Sequence, residues 1–330
     1  MVNRKEWLKE RSKGIGGSDI GAIMGLNKFQ TPLQVYYDKI GQGDDVSNPQ
    51  METGNVLERF VGEWFADYNE LQYCHSRKHR LKKDGINPKT AVYLPNKRLV
   101  TSKDEPIFKA SQDYGYEGNG VMEAKSTIGD TEEPLSSWYA QGQWYLGVTK
   151  MPKLTIAWVT LPWGFDYDTF LSQEWKDIKC LRSVLKYRQE EFFADYDFIH
   201  QAQQHALRFW HDHVLPQIPP EPINDNDLKL LYPVANKGQQ VEAVAETYKA
   251  WQQLCQVQIA KKDYTAQEAS LKTQMGMILK DAEILSYGEK VLITNKSSET
   301  RRVDTQRLKD EGLYDEYSKV TTGRKMLIKK

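Results

Sequence analysis

Two carboxylates and an amine stand at a spacing that suits metal-assisted hydrolysis. Asp113 precedes a short glycine-containing turn, and Glu123 and Lys125 follow that turn. The turn contains Asn119–Gly120, and Asn-Gly between extended segments is a strong hairpin signal. A hairpin brings the two carboxylates together, and Glu123 and Lys125 share one face because side chains alternate along a strand. We therefore predict a site for a divalent metal that activates water.

The alternative for these charges is a surface hairpin with no chemical role. That alternative explains the pattern poorly, because both acids lie among apolar residues such as Phe108 and Met122. The carbonyl of Ala124 points away from its own side chain and is a candidate further ligand, since hard cations take carboxylate and carbonyl oxygens. Lys125 could hold a hydroxide and neutralise charge growing on a phosphate.

Two other polar side chains interrupt apolar helical patterns. Apolar residues in 54–68 recur at helical spacing, and Glu58 lies at the edge of that stripe. Glu58 is either an ordinary surface carboxylate or a third acid that holds a metal-bound water or a second ion. Gln141 lies between Trp138 and Tyr145 on a predicted helix, and an inward glutamine without partners costs about 1–3 kcal/mol. Either a backbone group or a substrate phosphate would satisfy it.

Other chemistries find less support. A zinc site is the main rival, and its candidates are Cys74, His75, His79, His200, His205, His211 and His213. No second cysteine pair with finger spacing accompanies them, and their polar surroundings favour surface histidines. The chain also has no Gly-x-Ser-x-Gly elbow and no Walker-type loop, so neither a serine nucleophile nor nucleotide hydrolysis is indicated.

Composition indicates a folded protein of a reducing compartment. The 330 residues are 39% hydrophobic and 27% charged, with 45 basic and 45 acidic side chains. The three cysteines are too few for a disulfide framework, and the polar N-terminus has no signal-peptide pattern. No apolar run is long enough to span a membrane, so we expect a cytosolic protein. Residues 71–103 hold nine Lys or Arg and one acid, which is either a solvated stretch or a phosphate-binding surface.

The coarse pattern predicts an α/β fold with two domains. A stiff Pro-rich linker at 217–222 sets the boundary, giving domains 1–220 and 221–330. A buried strand is predicted at 154–161 and helices at 174–193 and 196–214. The second domain is predicted to be a smaller α+β domain with these parts: a helical hairpin or short coiled coil within 239–281, a basic β-hairpin around Gly288, and a last strand at 324–330.

Four sequence blocks carry a resemblance to a known family. They are Arg11 with 14–20 (Gly-Ile-Gly-Gly-Ser-Asp-Ile) and 31–33 (Thr-Pro-Leu); 54–58 (Gly-Asn-Val-Leu-Glu); Ser-Gln-Asp at 111–113 with Met-Glu-Ala-Lys at 122–125; and 139–143 (Tyr-Ala-Gln-Gly-Gln). In order and spacing the chain resembles the YqaJ-type viral recombinases, relatives of phage lambda exonuclease within the PD-(D/E)xK nuclease superfamily. The resemblance implies a restriction-endonuclease-like core, a mixed central sheet flanked by helices.

The resemblance also implies roles for individual residues. Asp113 and Glu123 look like the metal-binding acids, with the Ala124 carbonyl as a further ligand. Lys125 looks like the lysine that assists the attacking water, and Glu58 resembles the upstream helical acid.

A second set of residues resembles the group that holds a terminal 5′-phosphate. It comprises Arg11, Ser18, Ser111 and Gln141, and an arginine fork, two hydroxyls and an amide suit a phosphate chemically. The chain departs from the common Ser-Pro-Asp-Gly pattern, because 111–115 reads Ser-Gln-Asp-Tyr-Gly.

The function that the resemblance implies is a Mg²⁺-dependent 5′→3′ exonuclease acting on double-stranded DNA ends, with Mn²⁺ as an alternative metal. Such an enzyme would leave 3′ single-stranded overhangs for phage-type recombination in the cytoplasm of a bacterial host. The resemblance further implies a homo-oligomer, a trimer in relatives, and a single-strand annealing protein as partner. Two alternatives stay open: an endonuclease of the same superfamily, and a DNA- or protein-binding module that has lost catalysis.

Overall fold

A mixed six-stranded sheet lies at the centre of the N-terminal part of the chain. The computed structural model describes residues 4–43, 48–95, 99–173, 179–288, 290–295 and 303–319. In spatial order the strands are β1 (Gln72–Arg77), β2 (Ala91–Leu94), β5 (Tyr114–Tyr116), β6 (Gly120–Ile128), β7 (Lys153–Leu161) and β8 (Lys186–Phe193). The β1–β2 and β6–β7 pairs are parallel and the other pairs antiparallel. This arrangement confirms the predicted mixed α/β sheet.

Helices and one small strand pair surround this sheet. The strand pair is antiparallel and consists of β3 (Val100–Thr101) and β4 (Lys109–Ala110). The helices are α1 (Arg4–Ser12), α2 (Gly17–Ile23), α3 (Pro32–Lys39), α4 (Pro49–Tyr68), α5 (Ser136–Thr149), α6 (Tyr167–Leu171), α7 (Lys179–Arg182), α8 (Tyr196–Phe209) and α9 (Asp225–Leu231). Short helical turns occur at Lys78–Arg80, Pro88–Thr90 and Trp210–Val214.

Helix α4 covers one face of the sheet. Most of its predicted apolar stripe is buried, although Tyr68 at the end of the stripe is exposed. The helix starts earlier than expected because Asn48 caps it by accepting a hydrogen bond from the Met51 backbone N–H at 2.8 Å. The residues that α4 and the sheet share in one buried cluster include Leu57, Phe60, Val61, Phe65, Met122, Ala157 and Val159. Alternation along β6 and β7 therefore turns their neighbouring residues to the opposite face.

Helices α5 and α2 lie on that opposite face, and glycines let them approach closely. A Cβ at Gly142 would lie 2.0 Å from Cδ2 of Leu154 on β7. A Cβ at Gly17 would lie 2.4 Å from Cε1 of Tyr145, so α2 packs directly on α5. Close packing on α5 thus explains the glycine at the first position of α2.

The predicted helix over 174–193 is wrong in its C-terminal half. Residues 174–178 lie outside the described part of the chain, α7 is short, and β8 begins at Lys186. Strand β8 pairs with β7 along its whole length, and its many charged side chains suit the edge of a sheet. The next predicted helix, over 196–214, is confirmed as α8 and the turn that follows it.

The chain divides into two compact units, Met1–Leu228 and Lys229–Lys330, so the division lies beyond the predicted boundary at 220. Asp227 explains the difference. It is fully buried, its Oδ1 accepts a hydrogen bond from Thr31 Oγ1 at 2.7 Å, and its Oδ2 accepts one from the Ile223 backbone N–H at 3.0 Å. These bonds tie the residues after the proline-rich linker to the first unit.

The second unit contains one long helix, α10 (Ala245–Leu279), where the sequence predicts a helical hairpin or short coiled coil, so the hairpin is wrong. No proline interrupts the helix, and its one glycine, Gly276, lies in the last turn, so nothing reverses the chain. After it come β9 (Ile284–Tyr287), β10 (Lys290–Thr294), α11 (Thr305–Asp310) and α12 (Tyr314–Tyr317).

Strands β9 and β10 form the predicted antiparallel hairpin. Its character differs from the basic one expected, because Lys290 is the only basic residue in the two strands. Four large hydrophobic side chains on them are exposed: Ile284, Tyr287, Val291 and Leu292. The predicted strand at 324–330 lies outside the described residues. Across the residues that are described, no helix is long and apolar enough to cross a bilayer.

Candidate active site

The two predicted acids face each other across a hairpin. Strands β5 and β6 pair Tyr114 with Met122, so continuing the register by one residue sets Asp113 opposite Glu123. The backbone N–H of Asp113 donates to Glu123 Oε1 at 3.2 Å. The turn itself differs from the prediction, because its left-handed residues are Glu117 and Gly118 and not Asn119–Gly120. The register that the prediction needed is nevertheless present.

Ala124 connects the second acid to the first through its backbone. Its N–H donates to Asp113 Oδ2 at 3.0 Å. The N–H and C=O of one strand residue point to the same edge of the strand, so the Ala124 carbonyl also faces the Asp113 side. The carboxylates of Asp113, which precedes β5, and of Glu123 on β6 are therefore directed toward one region together with this carbonyl.

Lys125 lies on the same face as Glu123, as strand alternation predicts. Its Nζ donates to Glu123 Oε2 at 3.0 Å. The Lys125 side chain retains 17% of its exposure, whereas the Glu123 side chain retains none. The amine thus lies between the buried acid and the surface, where a substrate could reach it.

Burial and neighbouring charges together shift the pKa values of Glu123 and Lys125. Burial raises the pKa of Glu123 to about 8, and the neighbouring negative charge of Asp113 adds to the rise, while Lys125 opposes it. Burial alone would lower the pKa of Lys125, but the charges of Glu123 and Asp113 outweigh it and raise that pKa. The site therefore contains a carboxyl group that is hard to ionise, Glu123, and an amine that is hard to deprotonate, Lys125.

These residues fit a hard divalent cation. Two carboxylates and a carbonyl are oxygen ligands, and Mg²⁺ commonly takes one or two carboxylates and completes its shell with water. A cation would also offset the burial and the repulsion from Asp113 that together raise the pKa of Glu123. Among the described residues, there is no group of three or more His, Cys, Asp or Glu side chains that could hold a metal ion. Neither a zinc cluster nor a set of three carboxylates is therefore found in that part of the chain.

Glu58 lies near Lys125 but does not form a three-carboxylate set with Asp113 and Glu123. It is half-buried on α4. Burial raises the pKa of Tyr114, and the charge of Glu58 adds to that rise. Its charge also helps to raise the pKa of Lys125. Glu58 therefore belongs to the electrostatic surroundings of the amine.

Gln141 meets the second acid directly. Its Nε2 lies 3.0 Å from Glu123 Oε2 and 3.0 Å from the Tyr145 hydroxyl oxygen. Burial raises the pKa of Tyr145 well above its ordinary value, with the charges of Glu123 and Asp113 adding to the effect. Sequence reasoning placed Tyr145 on the helix but gave it no role. Its position one turn after Gln141 was the available signal.

The residues of the predicted 5′-phosphate group lie close to this centre but do not all touch. Arg11 Nη2 donates to the hydroxyl of Ser18. The residue before Ser18, Gly17, lies against Gln141, where an added Cβ would be 2.9 Å from Cγ. Ser111 follows β4 directly, and β4 is joined to the loop before α2 by a hydrogen bond from Lys109 N to Ile15 O at 2.9 Å. Backbone pairing thus links Ser111 to the segment that carries Ser18.

Comparison with known proteins agrees with the resemblance seen in the sequence blocks. The chain is 28% identical over 350 residues to "Uncharacterized protein YqaJ" of Bacillus subtilis strain 168, covering 99% of this chain and 95% of that protein. An alkaline exonuclease from Laribacter hongkongensis, LHK-Exo, matches at 14% identity and a TM-score of 0.42, covering 65% of this chain and 94% of that one. A phage-related exonuclease from Haemophilus somnus 129PT matches at 13% identity and a TM-score of 0.34, covering 59% and 91%. Residues 6–152 match the family model of the YqaJ-like viral recombinase domain.

Proposed function

We propose that this chain is a metal-dependent deoxyribonuclease that digests double-stranded DNA from its 5′ ends and leaves 3′ single-stranded overhangs. The observation that carries the proposal is the meeting of Asp113, the Ala124 edge and Glu123, with Lys125 bonded to the second acid. Idle charges in such a buried setting would be costly. Phosphodiester hydrolysis gives each of them a task.

The proposed chemistry divides between a cation and the chain's own groups. When bound by Asp113, Glu123 and the Ala124 carbonyl, Mg²⁺ or Mn²⁺ would supply Lewis acidity and lower the pKa of a bound water. Lys125 orients the attacking water with its ammonium and neutralises charge that grows on the phosphoryl oxygens. Glu58 lies near the amine and helps to keep it protonated.

Selection of a DNA end would use the second group of residues. Arg11 and the hydroxyls of Ser18 and Ser111 would hold the terminal 5′-phosphate. Gln141 would contribute from α5, where its amide already contacts Glu123 and so connects phosphate binding to the metal acids. We propose this coupling as the reason for cleavage near a 5′ end.

The duplex would be held by the basic segment around β1. Its exposed cationic side chains are Arg77, Arg80, Lys82, Lys83 and Lys89. They lie on an edge strand and the turns after it, where backbone phosphates can reach them. From the family resemblance we also propose a ring-like trimer, a single-strand annealing protein as partner, and a site of action in the bacterial cytoplasm.

The experiment is digestion of linear duplexes with 5′-phosphate or 5′-hydroxyl ends beside closed circular plasmid, with and without Mg²⁺. We expect Mg²⁺-dependent loss of linear duplex, faster with 5′-phosphate, and intact circles. Asp113→Ala and Lys125→Ala should abolish digestion in proteins that remain folded. Asp104→Ala and Lys150→Ala, which break an exposed ion pair of 2.8 Å, are matched controls and should digest normally.

Other outcomes would select other functions. Cleavage of the circles would indicate an endonuclease. An absence of digestion with any divalent metal, together with retained DNA binding, would indicate a binding module. Full activity in Asp113→Ala or Lys125→Ala would refute the assignment of the site.

A further inference from the structure

A buried ion pair lies beneath the two residues Arg11 and Ser18. Asp19 on α2 and Lys39 at the end of α3 meet at 2.5 Å between Oδ2 and Nζ, and each side chain is only 2% exposed. The same Asp19 oxygen accepts a hydrogen bond from the Gly16 backbone N–H at 2.7 Å. Lys39 continues the apolar face of α3 formed by Leu33 and Tyr36, which is an unusual place for a lysine.

The other Asp19 oxygen faces Arg11. The distance from Oδ1 to Arg11 Nη2 is 3.6 Å, which is an ion-pair distance but longer than a hydrogen bond. The Arg11 side chain is 33% exposed and donates to Ser18. Burial would raise the pKa of Asp19, but the charges of Lys39 and Arg11 outweigh it and lower that pKa. The Asp19 carboxylate is therefore ionised between two cations.

The sum of these charges determines what Arg11 can bind. The charges of Asp19, Lys39 and Arg11 themselves sum to one positive charge, and the cation nearer to Asp19 is the buried Lys39. Without Lys39, the Asp19 charge would be balanced by Arg11 alone. The guanidinium would then be drawn inward to the carboxylate, and the summed charge of Arg11 and Asp19 would be zero.

We propose that Lys39 is a positioning residue that neutralises Asp19 and so keeps the charge of Arg11 available to the 5′-phosphate of the DNA end. This inference rests on the proposed function, because it assumes that Arg11 binds that phosphate. Lys39 itself does not touch the substrate. A purely structural ion pair that joins α2 to α3 would affect folding and leave the phosphate preference unchanged.

The test measures binding to DNA ends by fluorescence anisotropy in EDTA, so that no cleavage occurs. The probes are one duplex with 5′-phosphate ends and the same duplex with 5′-hydroxyl ends. The variants are Lys39→Met and the double variant Asp19→Asn with Lys39→Met. One uncompensated charge within about 12 Å at an effective dielectric constant of about 20 changes affinity roughly tenfold.

We expect the wild type to prefer the 5′-phosphate. Lys39→Met should lose about tenfold on the phosphate end and nothing on the hydroxyl end, and the double variant should recover the preference because it removes the unbalanced carboxylate. Thermal melts establish that each variant is folded. If Lys39→Met does not fold, Asp19→Asn replaces it and should keep or strengthen the wild-type preference.

The outcomes separate the two proposals. If Lys39→Met keeps the wild-type preference for the 5′-phosphate, or if the double variant does not recover that preference, the role of Lys39 is overturned. The proposed phosphate site is not affected by either result. Loss of preference in Asp19→Asn would also overturn the role of Lys39. A wild type with equal affinity for both ends would remove the phosphate site itself and the role of Lys39 with it.

Discussion

Replacing Glu123 by glutamine should change how the stability of the metal-free protein depends on pH. In the folded protein Glu123 keeps its proton up to about pH 8, whereas its ordinary pKa is 4.5. The folded state binds this proton more tightly than the unfolded state does. The stabilisation from Glu123 is therefore complete below about pH 4.5 and is lost as the pH rises to about 8.

The size of the effect follows from the same pKa. Between about pH 6 and pH 9 the linkage lowers the free energy of unfolding of the wild type by roughly 2–3 kcal/mol. In Glu123→Gln that contribution is absent, because the amide does not titrate. The amide keeps the shape of the carboxyl group and can still accept a hydrogen bond from Lys125. The difference between the two proteins in how the free energy of unfolding varies with pH therefore reports on the charge of Glu123.

The assay is urea unfolding in EDTA at several pH values between these limits, followed by tryptophan fluorescence. Trp144 and Trp158 are buried in the first unit and report on its unfolding. Titrating groups that do not interact with Glu123 contribute equally in the two proteins, so their contributions cancel in the difference. If the free energy of unfolding of the wild type and of Glu123→Gln changed in parallel across this pH range, the claim that the surroundings destabilise the ionised Glu123 carboxylate would be refuted.

Further outcomes follow from the same geometry. Mn²⁺ competes with the proton on Glu123, so the Mn²⁺ affinity measured by calorimetry should rise about tenfold per pH unit up to about pH 8 and then level off. A Mn²⁺ affinity that does not change with pH would contradict this. Lys125→Met should keep Mn²⁺ affinity at or above the wild type, because a nearby cation is removed, while DNA digestion is lost; weaker Mn²⁺ binding would make Lys125 part of the metal site. Gly17→Ala places a Cβ 2.4 Å from Tyr145 and should lower the free energy of unfolding in urea by about 1–3 kcal/mol. Gly276→Ala, with open space around its Cβ, should not lower it. A Gly17→Ala variant as stable as the wild type would refute the packing of α2 on α5.

Local patterns predicted the parts of the site that depend on nearby residues. The Asp113–Glu123 register follows from one hairpin, and the shared face of Glu123 and Lys125 follows from strand alternation. The apolar stripe of α4 was likewise visible as a helical period. In each case the residues that interact are close in sequence or repeat at a fixed spacing.

Features that depend on distant partners were not predicted. The pairing of Lys39 with Asp19 joins two helices, and its only sequence signal was a lysine on the apolar face of α3. Strand β8 was taken for a helix because its charged residues gave no alternating pattern, and only its partner strand β7 defines it. The hairpin predicted within 239–281 is wrong because heptad spacing alone does not show whether a helix turns back.

The central claim is that Asp113 and Glu123 together bind a divalent cation. The most direct measurement is calorimetric titration of the folded protein with Mn²⁺ at about pH 8.5, where proton competition is small. We expect saturable binding in the wild type and in the surface control Asp104→Asn, and a loss of at least about tenfold in Asp113→Asn and in Glu123→Gln. Wild-type Mn²⁺ affinity in either of these last two variants would contradict the account.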